Sequence, residues 1–335
     1  MRITTGAVPP SISTSAMPER DSVALFREEV ARRALRLNVE PLDNDPFHAT
    51  LTSFALPGLR AILWEGSSVR LERTRQLIPP NEKTVGLAIC LHRSGVYWQW
   101  GQEVAMRSGD AVLISHSDPA RLSLSAGSHF GMVLSLAALA PLVGNVEGAY
   151  ARGIPRGNEA LRLLVKYLGI VQQDVAFAAP GLASAAATHI HDLAALAIGA
   201  TRDGAEIAAG RGIRAARLAA LKADIRTDLA NSELSVTALA KRHGITPRYV
   251  HMLFEADGVS FTHFVLRERL ALAHRMLSDP RYDQRTITMI AMGAGFGDLS
   301  YFNRAFRSRY GTTPREIRRE KAMRHKDLDD KRHGW

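Results

Sequence analysis

The chain contains Leu239-Ala-Lys-Arg-His-Gly-Ile-Thr-Pro-Arg-Tyr-Val-His-Met-Leu-Phe254 and a distant copy of it, Ile290-Ala-Met-Gly-Ala-Gly-Phe-Gly-Asp-Leu-Ser-Tyr-Phe-Asn-Arg-Ala-Phe306. Each stretch has the pattern of a short helix, a glycine turn and a second helix. The turn glycines, Gly244 and Gly295, lie 51 residues apart, and the closing phenylalanines lie 52 residues apart. A repeat at so constant an offset indicates two copies of one structural unit. In a helix-turn-helix of this kind the second helix enters the DNA major groove, so double-stranded DNA is the predicted partner.

Basic charge is concentrated in the part of the chain that contains this repeat. The 335 residues carry a formal net charge of +10. Residues 214–335 contain 23 Lys and Arg against 14 Asp and Glu, whereas residues 1–213 contain 20 against 19. A polyanionic partner for the C-terminal part follows, because clustered cations bind phosphate backbones. A solvated basic surface would give the same counts, so the charge supports the repeat but is not sufficient alone.

Length and composition limit the class of protein. A chain of 335 residues is long enough for two domains with separate cores, and its mean hydropathy of −0.08 is that of a globular protein. The single cysteine, Cys90, excludes a disulfide framework within the chain and fits a reducing compartment. The first residues lack the apolar core of a signal peptide, and no run approaches the roughly 18 apolar residues of a membrane helix. We therefore expect a cytoplasmic protein without a membrane partner.

Local start and stop signals predict a compact all-α module in the C-terminal part. Short polar residues precede each stretch of helical periodicity, as N-caps do. Pro247 strengthens one of these starts, and Gly311 ends the last helix. After a first helix over 215–230, the predicted caps are Ser235 before 236–243, Thr246 before the second helix of the first repeat, Ser260 before a long helix to 278, Thr286 before 287–293 and Asp298 before 299–309.

The N-terminal part has short alternating strands between turn residues. Apolar residues share one face of 84–92, and Val96, Trp98 and Trp100 share one face of 96–100. Several such strands between about residues 51 and 137 predict a β-barrel or sandwich. Helical periodicity follows after Pro141. The expected fold class is therefore α+β.

Composition also predicts the domain boundaries. Residues 1–20 are rich in Ser, Thr and Pro and are expected to form a disordered leader. Residues 201–213 are glycine-rich, which predicts a linker. Residues 320–335 are expected to be a frayed tail. The two predicted domains occupy residues 40–200 and 214–319.

The C-terminal module resembles the DNA-binding domain of the AraC/XylS family of bacterial transcription regulators. The resemblance rests on Gly293-Ala-Gly-Phe-Gly-Asp-Leu-Ser-Tyr-Phe-Asn-Arg-Ala-Phe306 and on Tyr310-Gly-Thr-Thr-Pro-Arg-Glu-Ile-Arg318. The N-terminal part resembles the sensor domain of that family more loosely, through Gly109-Asp110 and Asp118-Pro119. The resemblance implies a cupin-like β-barrel with appended helices that senses a small effector and dimerises, followed by two helix-turn-helix units joined by the long helix. It also implies a homodimer that contacts RNA polymerase, with activation of transcription as the commoner output.

The resemblance assigns base-contacting positions residue by residue. Arg304 is the best candidate for guanine, because its guanidinium presents two parallel donors to O6 and N7. Asn303 is suited to adenine, and Met252 to a thymine methyl group or a sugar. The two second helices are expected in adjacent major-groove segments about 34 Å apart. The full set of expected DNA contacts is Arg248, His251, Met252, Leu299, Ser300, Asn303, Arg304 and Arg307, the last on phosphate together with Arg309.

The barrel is the expected site of a small effector, with an aromatic molecule as the first candidate. The expected binding residues are Trp64, His92, Trp98, Trp100 and His116. Two tryptophans on one strand face are also ordinary in a core. An N-terminal domain that only dimerises, in a ligand-independent regulator, is the alternative.

A catalytic cupin is the rival from another class. Metal cupins present His-x-His on a strand, where the two side chains share a face. The pair His189-Ile-His191 lies in a helical stretch, where the rings point about 200° apart. His92, His116 and His129 are isolated from one another in sequence, and no nucleophile motif, phosphate loop or dinucleotide fingerprint is present. We therefore expect no metal site, no cofactor and no enzymatic activity, with a cupin-type enzyme fused to a DNA-binding domain as the remaining alternative.

Overall fold

The computed structural model describes residues 11–14, 24, 26–27, 35–174, 177 and 179–319. The chain divides into two compact units, Met1–Arg217 and Leu218–Trp335. Most of the predicted leader, and the predicted tail over 320–335, lie outside the described residues. The N-terminal unit contains two antiparallel sheets and a helical layer, and the C-terminal unit is helical.

Two sheets of antiparallel strands make up the barrel of the N-terminal unit. In spatial order, the first sheet contains β1 Ser11–Ser13, β3 Ala49–Leu56, β4 Leu59–Gly66, β11 Gly127–Ser135, β6 Thr84–Cys90, β9 Ala111–Ser115 and β12 Gly153–Ile154. The second sheet contains β2 Asn38–Pro41, β5 Val69–Arg73, β10 Ala120–Leu124, β7 Ser94–Gln99 and β8 Gln102–Arg107.

Helices pack on the first sheet. Helices α1 Leu136–Val143, α2 Glu159–Gln173 and α3 Pro180–Ile198 follow it in the chain, and α1 and α3 contact strands β11 and β3. On β6 the predicted apolar face is confirmed, because Val85, Leu87 and Ile89 are almost completely buried. The register places Gly86, Ala88 and Cys90 on the other face, which looks toward the second sheet. The inward face of β6 therefore carries small side chains and leaves space between the sheets.

Part of the predicted leader is strand. Residues Ser11–Ser13 form β1 and pair antiparallel with β3. The next residue, Thr14, is buried and accepts a hydrogen bond from the Ala49 backbone N–H at 2.9 Å. The prediction of disorder is therefore wrong for 11–14, because this segment supplies backbone partners to what would otherwise be the exposed edge of β3.

The predicted linker over 201–213 is helical. Helix α4 Arg202–Ala208 is capped by the Thr201 hydroxyl and continues into a π-helical segment, Ala209–Ile213. Both pack on α3. A Cβ on Gly204 would collide with the Leu142 carbonyl oxygen, and one on Gly212 would lie 2.7 Å from the Asp192 Cβ. These glycines permit close packing, so the segment predicted as the domain linker is a packed part of the N-terminal unit, which extends to Arg217.

Six helices and a final short helix over 314–319 follow among the described residues of the C-terminal part. All five predicted caps are confirmed, because each side chain accepts a hydrogen bond from the backbone N–H three residues later. The helices are α5 Arg214–Thr227, α6 Val236–His243, α7 Pro247–Ala256, α8 Phe261–Ser278, α9 Ile287–Gly293 and α10 Leu299–Tyr310.

Helix α8 links two separate hydrophobic clusters in this unit. Its first half buries Phe264 and Val265 against α6 and α7. Its second half buries Ala273 and Leu277 against α9 and α10. A helix of 18 residues is about 27 Å long. The two helix-turn-helix units are thus held at opposite ends of one rigid element.

Candidate nucleic-acid interface

Helix α7 separates into a buried and an exposed face. Val250, Leu253 and Phe254 are at most 2% exposed, in the cluster shared with α8. Thr246 caps the helix and Pro247 occupies its first turn, so its start is fixed locally. The exposed side chains include the three predicted DNA contacts Arg248, His251 and Met252. Met252 is 40% exposed, so its thioether is available to a partner.

Helix α10 has the same division. Phe302 and Phe306 are completely buried, and their rings pack at a tilted angle with 5.4 Å between the ring centroids. The Asp298 carboxylate caps the helix by accepting from the Tyr301 backbone N–H at 2.7 Å. The exposed residues include all five of the predicted contacts on this helix, Leu299, Ser300, Asn303, Arg304 and Arg307.

Four of these α10 residues line a depression that also includes residues of the C-terminal segment 313–318. Leu299, Asn303, Arg304 and Arg307 line a depression together with Thr286, Ile287 and Thr288 at the start of α9 and with Thr313, Pro314, Arg315 and Arg318. Sequence reasoning missed Arg315 and Arg318. Their signal was present, because Thr313-Pro-Arg-Glu316 has the form of a capping box followed by basic residues.

The capping box fixes the orientation of these two arginines. The Glu316 carboxylate accepts from the Thr313 backbone N–H at 2.7 Å, and the Glu316 N–H donates to the Thr313 hydroxyl at 3.3 Å. Hydrogen bonds from the Thr313 backbone and from the Thr312 and Thr313 hydroxyls lower the pKa of Glu316 to about 2. The short helix over 314–319 therefore starts at a defined point beside α10.

Most arginines of this surface lack, in the described part of the chain, the carboxylate partners that other arginines of the same unit have. Among the described residues, no carboxylate lies within ion-pair distance of Arg304, Arg307 or Arg315, while Arg226, Arg242 and Arg281 pair with Glu268, Asp228 and Asp279. One nitrogen of Arg318, Nη2, is buried without a hydrogen-bond partner among the described residues. Positive charge not balanced within the protein is what a phosphate-binding surface requires.

The N-terminal unit contains a cavity of about 150 Å³ between its two sheets. Two of the predicted effector residues, Trp64 and His116, line it and are 5% and 9% exposed. Two further lining residues, Arg60 on β4 and Arg73 on β5, were not predicted. No local motif marks them, since they meet only when the two sheets face each other.

The remaining predicted effector residues lie outside the cavity. Strand β7 directs Tyr97 and Gln99 inward and Trp98 outward, and Trp100 follows the strand in a turn with a φ of 52°. Trp98 donates from Nε1 to the Glu103 carboxylate at 2.8 Å, and Trp100 is 53% exposed in the turn after β7, with its ring 5.5 Å from that of Tyr150. His92 is exposed in the turn before β7. The prediction that these three residues line the barrel interior is wrong.

Hydrogen bonds fix the state of the two histidines in the cavity wall. The Thr84 hydroxyl donates to Glu82 Oε1 at 2.7 Å, so the His116 Nδ1–H must donate to Thr84 Oγ1, 3.0 Å away. Burial, together with the charges of Arg73 and Arg60, lowers the pKa of His116 to about 3. His129 donates from Nε2 to the Ser125 carbonyl oxygen at 3.0 Å, and burial also lowers its pKa. Both imidazoles are neutral near pH 7 and present their other nitrogen as an acceptor.

The histidines of the described residues do not assemble into a metal centre. No group of three or more His, Cys, Asp or Glu side chains within this part of the chain is placed to hold a metal ion. His189 and His191 lie on α3, where His189 contacts the Tyr167 hydroxyl and His191 donates to the Ala187 carbonyl oxygen. Across the same residues, no helix has both the length and the apolar character needed to cross a bilayer.

Two protein-family models match the chain. The AraC-binding-like domain matches residues 26–199, more than half of the chain, and the helix-turn-helix domain matches residues 239–320. The crystal structure of the AraC-like transcriptional activator CuxR covers 85% of this chain and 99% of its own, with a TM-score of 0.50 and 16% identity. At that identity the likeness shows the fold alone. It confirms the predicted α+β class, with a cupin-like N-terminal domain followed by a helical domain.

Curated relatives match over about a third of the chain. The transcriptional activator RhrA of Rhizobium meliloti (strain 1021) is 42% identical over 103 residues, which are 31% of this chain and 32% of RhrA. The transcriptional activator NphR of a Rhodococcus species is 32% identical over 98 residues, which are 29% of this chain and 28% of NphR. The chain thus spans about a third of the length of these relatives. Because the AraC-binding-like match alone covers more than half of the residues, the chain belongs to the AraC/XylS family of transcription regulators.

Proposed function

We propose that this protein binds DNA sequence-specifically, activates transcription and responds to a small molecule held in its N-terminal unit. The observation that carries the DNA-binding part is the exposed row on α10, where Asn303 and Arg304 stand above Phe302 and Phe306. The buried phenylalanines anchor α10 in the cluster that it shares with α8 and α9. The polar side chains on the opposite face of α10 are exposed and can contact DNA. The matched relatives are named as transcriptional activators, which supports the sign of the response.

Each exposed residue has a role that its chemistry supports. Arg304 contacts guanine through two parallel N–H donors, and Asn303 contacts adenine. Met252 and Leu299 offer apolar contact to thymine methyl groups, while Arg248, His251 and Ser300 donate to base edges or phosphates. Arg307, Arg315 and Arg318 bind phosphate, which fixes position without reading sequence.

Helix α8 supports binding of both second helices to one face of the duplex. It packs α7 near one end and α10 near the other, so neither helix can shift without disrupting a buried cluster. Two major-groove contacts separated by about one helical turn of DNA, roughly 34 Å, fit this arrangement.

The remaining parts of the proposal concern partners and compartment. The protein acts as a homodimer in the bacterial cytoplasm, where it meets both DNA and RNA polymerase, and it has no enzymatic activity. Cys90 is buried, and burial raises the pKa of its thiol to about 11, so it remains an inert thiol.

A footprint on DNA upstream of the protein's own gene and of neighbouring genes tests the proposal. The full chain is used at near-physiological salt with excess competitor DNA. We expect protection of two major-groove segments per subunit on one face of the duplex. Arg304→Ala should weaken that footprint. Arg281→Ala, which removes an arginine already paired with Asp279, should leave it intact.

Diffuse, salt-sensitive protection would contradict sequence-specific binding by the full chain. Repeating the footprint with residues 214–335 separates two causes of such a result. Specific protection by the fragment alone would mean that the N-terminal unit holds the DNA-binding unit back until an effector arrives. Diffuse protection by both would reject the base-reading roles.

A further inference from the structure

We propose that Arg269 fixes the angle between the two DNA-reading helices, α7 and α10, and thereby determines which spacing between two base sequences the protein recognises. The inference rests on the proposed sequence-specific binding and names the residue that positions its two halves. Arg269 is a positioning residue, because it acts through the backbone next to both helix-turn-helix units and does not itself contact a base.

Helix α8 fixes the distance between the two units but not the angle between them. It carries the first helix pair, α6 and α7, on one hydrophobic cluster and the second helix pair, α9 and α10, on another. Apolar packing is non-directional. A helix pair that is attached only to one helix can therefore rock about the axis of that helix. A contact away from the axis is needed to prevent this rotation.

The two helix pairs meet directly at such a contact. Gly295 lies in the turn between α9 and α10, and a Cβ at this position would collide with the Leu229 carbonyl oxygen. Leu229 follows α5 and is 4% exposed in the cluster that holds the first helix pair. With a φ of 88° and no side chain, Gly295 allows the two backbones to approach. The turn of the second pair is therefore seated on the segment that leads into the first.

Arg269 holds both sides of this junction together. From the middle of α8, its Nε donates to the Leu229 carbonyl oxygen at 3.1 Å and its Nη2 donates to the Asn231 carbonyl oxygen at 2.8 Å. A Cβ on Gly295 would lie 2.6 Å from Arg269 Nε, so the guanidinium also lies against the turn of the second pair. Two charge-assisted hydrogen bonds from one planar group are directional. They fix an angle that apolar packing leaves free.

The angle between the helix pairs matters because DNA is helical. One base pair inserted between two recognised segments moves one of them by about 3.4 Å and turns it by about 35° around the duplex axis. Two rigidly held helices cannot follow such a change, so the contacts in one segment are lost. Two helices that can rock about α8 follow it and keep both sets of contacts.

Competition binding with altered spacing tests this consequence. One base pair is inserted or deleted between the two protected segments of the footprinted site. The native chain should lose about tenfold or more in affinity on either change, because base contacts in one segment are lost. Arg269→Gln should bind the three spacings with nearly equal affinity and keep its base preferences within each segment. Arg281→Gln is the matched control and should behave like the native chain, because Arg281 pairs with Asp279.

An unchanged spacing preference in Arg269→Gln would overturn the proposal. If the salt slope of that variant also fell by about one, Arg269 would be a phosphate contact instead of a positioning residue. Should Arg269→Gln fail to fold, Arg269→Lys keeps the charge and one donor. It should still relax the spacing preference, because a single ammonium group does not reproduce the two-pronged contact.

A distance measurement without DNA tests the positioning role separately. Spin labels are placed through Glu255→Cys on α7 and Ser308→Cys on α10, at two exposed positions, while the buried Cys90 thiol does not react. We expect a narrow distribution of distances between the labels in the native background and a broader one when Arg269→Gln is added. Equal widths in the two proteins would overturn the proposal.

Together the two measurements separate this inference from the proposed function. A specific footprint whose spacing preference is the same in native and Arg269→Gln protein would reject the role of Arg269 and leave DNA binding intact. Absence of any specific footprint, with a broader distance distribution in Arg269→Gln, would reject sequence-specific binding and still support the positioning of the two helices by Arg269.

Discussion

Arg211 binds Asp192 through two hydrogen bonds, from Nε to Oδ2 at 3.1 Å and from Nη2 to Oδ1 at 2.9 Å. Asp192 is 1% exposed on α3, and Arg211 lies in the π-helical segment Ala209–Ile213. Gly212 lies against the Asp192 side chain, where a Cβ would be only 2.7 Å from the Asp192 Cβ. The pair therefore fixes the end of the N-terminal unit to α3.

Arg211→Ala should lower the free energy of unfolding by about 3 kcal/mol, because it leaves a buried carboxylate without its cation. Urea denaturation of the full chain, followed by circular dichroism, measures the change. Arg202→Ala is the matched control. It removes an exposed pair with Glu206 at 4.0 Å, which is worth roughly 0.5 kcal/mol or less. Similar losses for both variants would show that the Arg211 pair is no more than a surface contact.

Substituting the two turn glycines of the repeat by alanine should lower the free energy of unfolding by unequal amounts. Gly244 and Gly295 both have positive φ, 65° and 88°. A Cβ on Gly244 would meet open space, whereas one on Gly295 would collide with the Leu229 carbonyl oxygen and lie 2.6 Å from Arg269 Nε. Gly244→Ala should cost roughly 1–2 kcal/mol through backbone strain alone. Gly295→Ala should cost about 1–3 kcal/mol more, because atoms must also move apart.

Thermal and urea unfolding of the two alanine variants, measured side by side, checks this difference. The Arg269 guanidinium donates to the Leu229 and Asn231 carbonyl oxygens at 3.1 and 2.8 Å, so it has little freedom to withdraw. Equal destabilisation by the two substitutions would mean that the collision is relieved without cost.

The C-terminal helices could be predicted from the sequence because their signals are local. Ser235, Thr246 and Asp298 each satisfy an N–H three residues away, and this needs no knowledge of the rest of the fold. The buried face of each helix could be predicted because its apolar residues recur at intervals of three and four positions. The capping box at Thr313 and Glu316 is equally local and was overlooked.

The faces of the sheets could not be predicted in the same way. Alternation predicts that Trp98 and Trp100 share a face, but it does not show which side of β7 faces the first sheet. The polar pair of Gln99 with Ser115 occupies the inside, where Gln99 Nε2 donates to the Ser115 carbonyl oxygen at 2.9 Å. Hydropathy alone favours the opposite arrangement. Arg60 and Arg73 were missed because their proximity depends on pairing of distant strands.

The Ser235 cap predicts a small loss of stability. The hydroxyl accepts from the Ala238 N–H at 3.2 Å, at an exposed helix start. Ser235→Ala should lower the free energy of unfolding by about 1 kcal/mol, and Ser235→Asp should restore most of it because a carboxylate caps as well. An unchanged melting temperature in Ser235→Ala would remove this role.

The lowered pKa of His116 predicts that the protein loses stability in acid. Its pKa falls from 6.5 to about 3 in the folded protein, chiefly because burial penalises the charged ring. The unfolded chain therefore takes up a proton below pH 6.5 that the folded protein refuses until about pH 3. Stability from this group is complete above pH 6.5 and declines as the pH falls toward 3, by at most about 1.4 kcal/mol per pH unit.

Urea denaturation at pH 7, 6, 5 and 4, at constant ionic strength, measures this slope. His116→Gln keeps a donor for Thr84 and removes the titrating group, so its stability should decline less steeply than that of the native chain. Carboxylates add their own acid sensitivity to both proteins and cancel in the comparison. Parallel curves for the two proteins would show that His116 does not contribute to acid unfolding.

Arg304 and Arg315 lie in the same depression but should differ in their effects on DNA binding. Arg304 is on the exposed row of α10, and Arg315 follows the capping box beside it. Arg304→Ala should cost roughly 1–3 kcal/mol on the preferred site and relax the choice of base at one position. Arg315→Ala should weaken binding to all sequences alike and lower the salt slope by about one, because it removes a phosphate contact.

Competition binding on a library of single-base variants of the footprinted site, at several salt concentrations, measures both effects. The native chain and Arg281→Ala serve as controls, since Arg281 is already paired within the protein. Uniform weakening by Arg304→Ala would reassign it to phosphate. A change of base preference in Arg315→Ala would mean that the segment over 314–319 reaches into the groove, and the division between positioning and reading along this surface would then have to be redrawn.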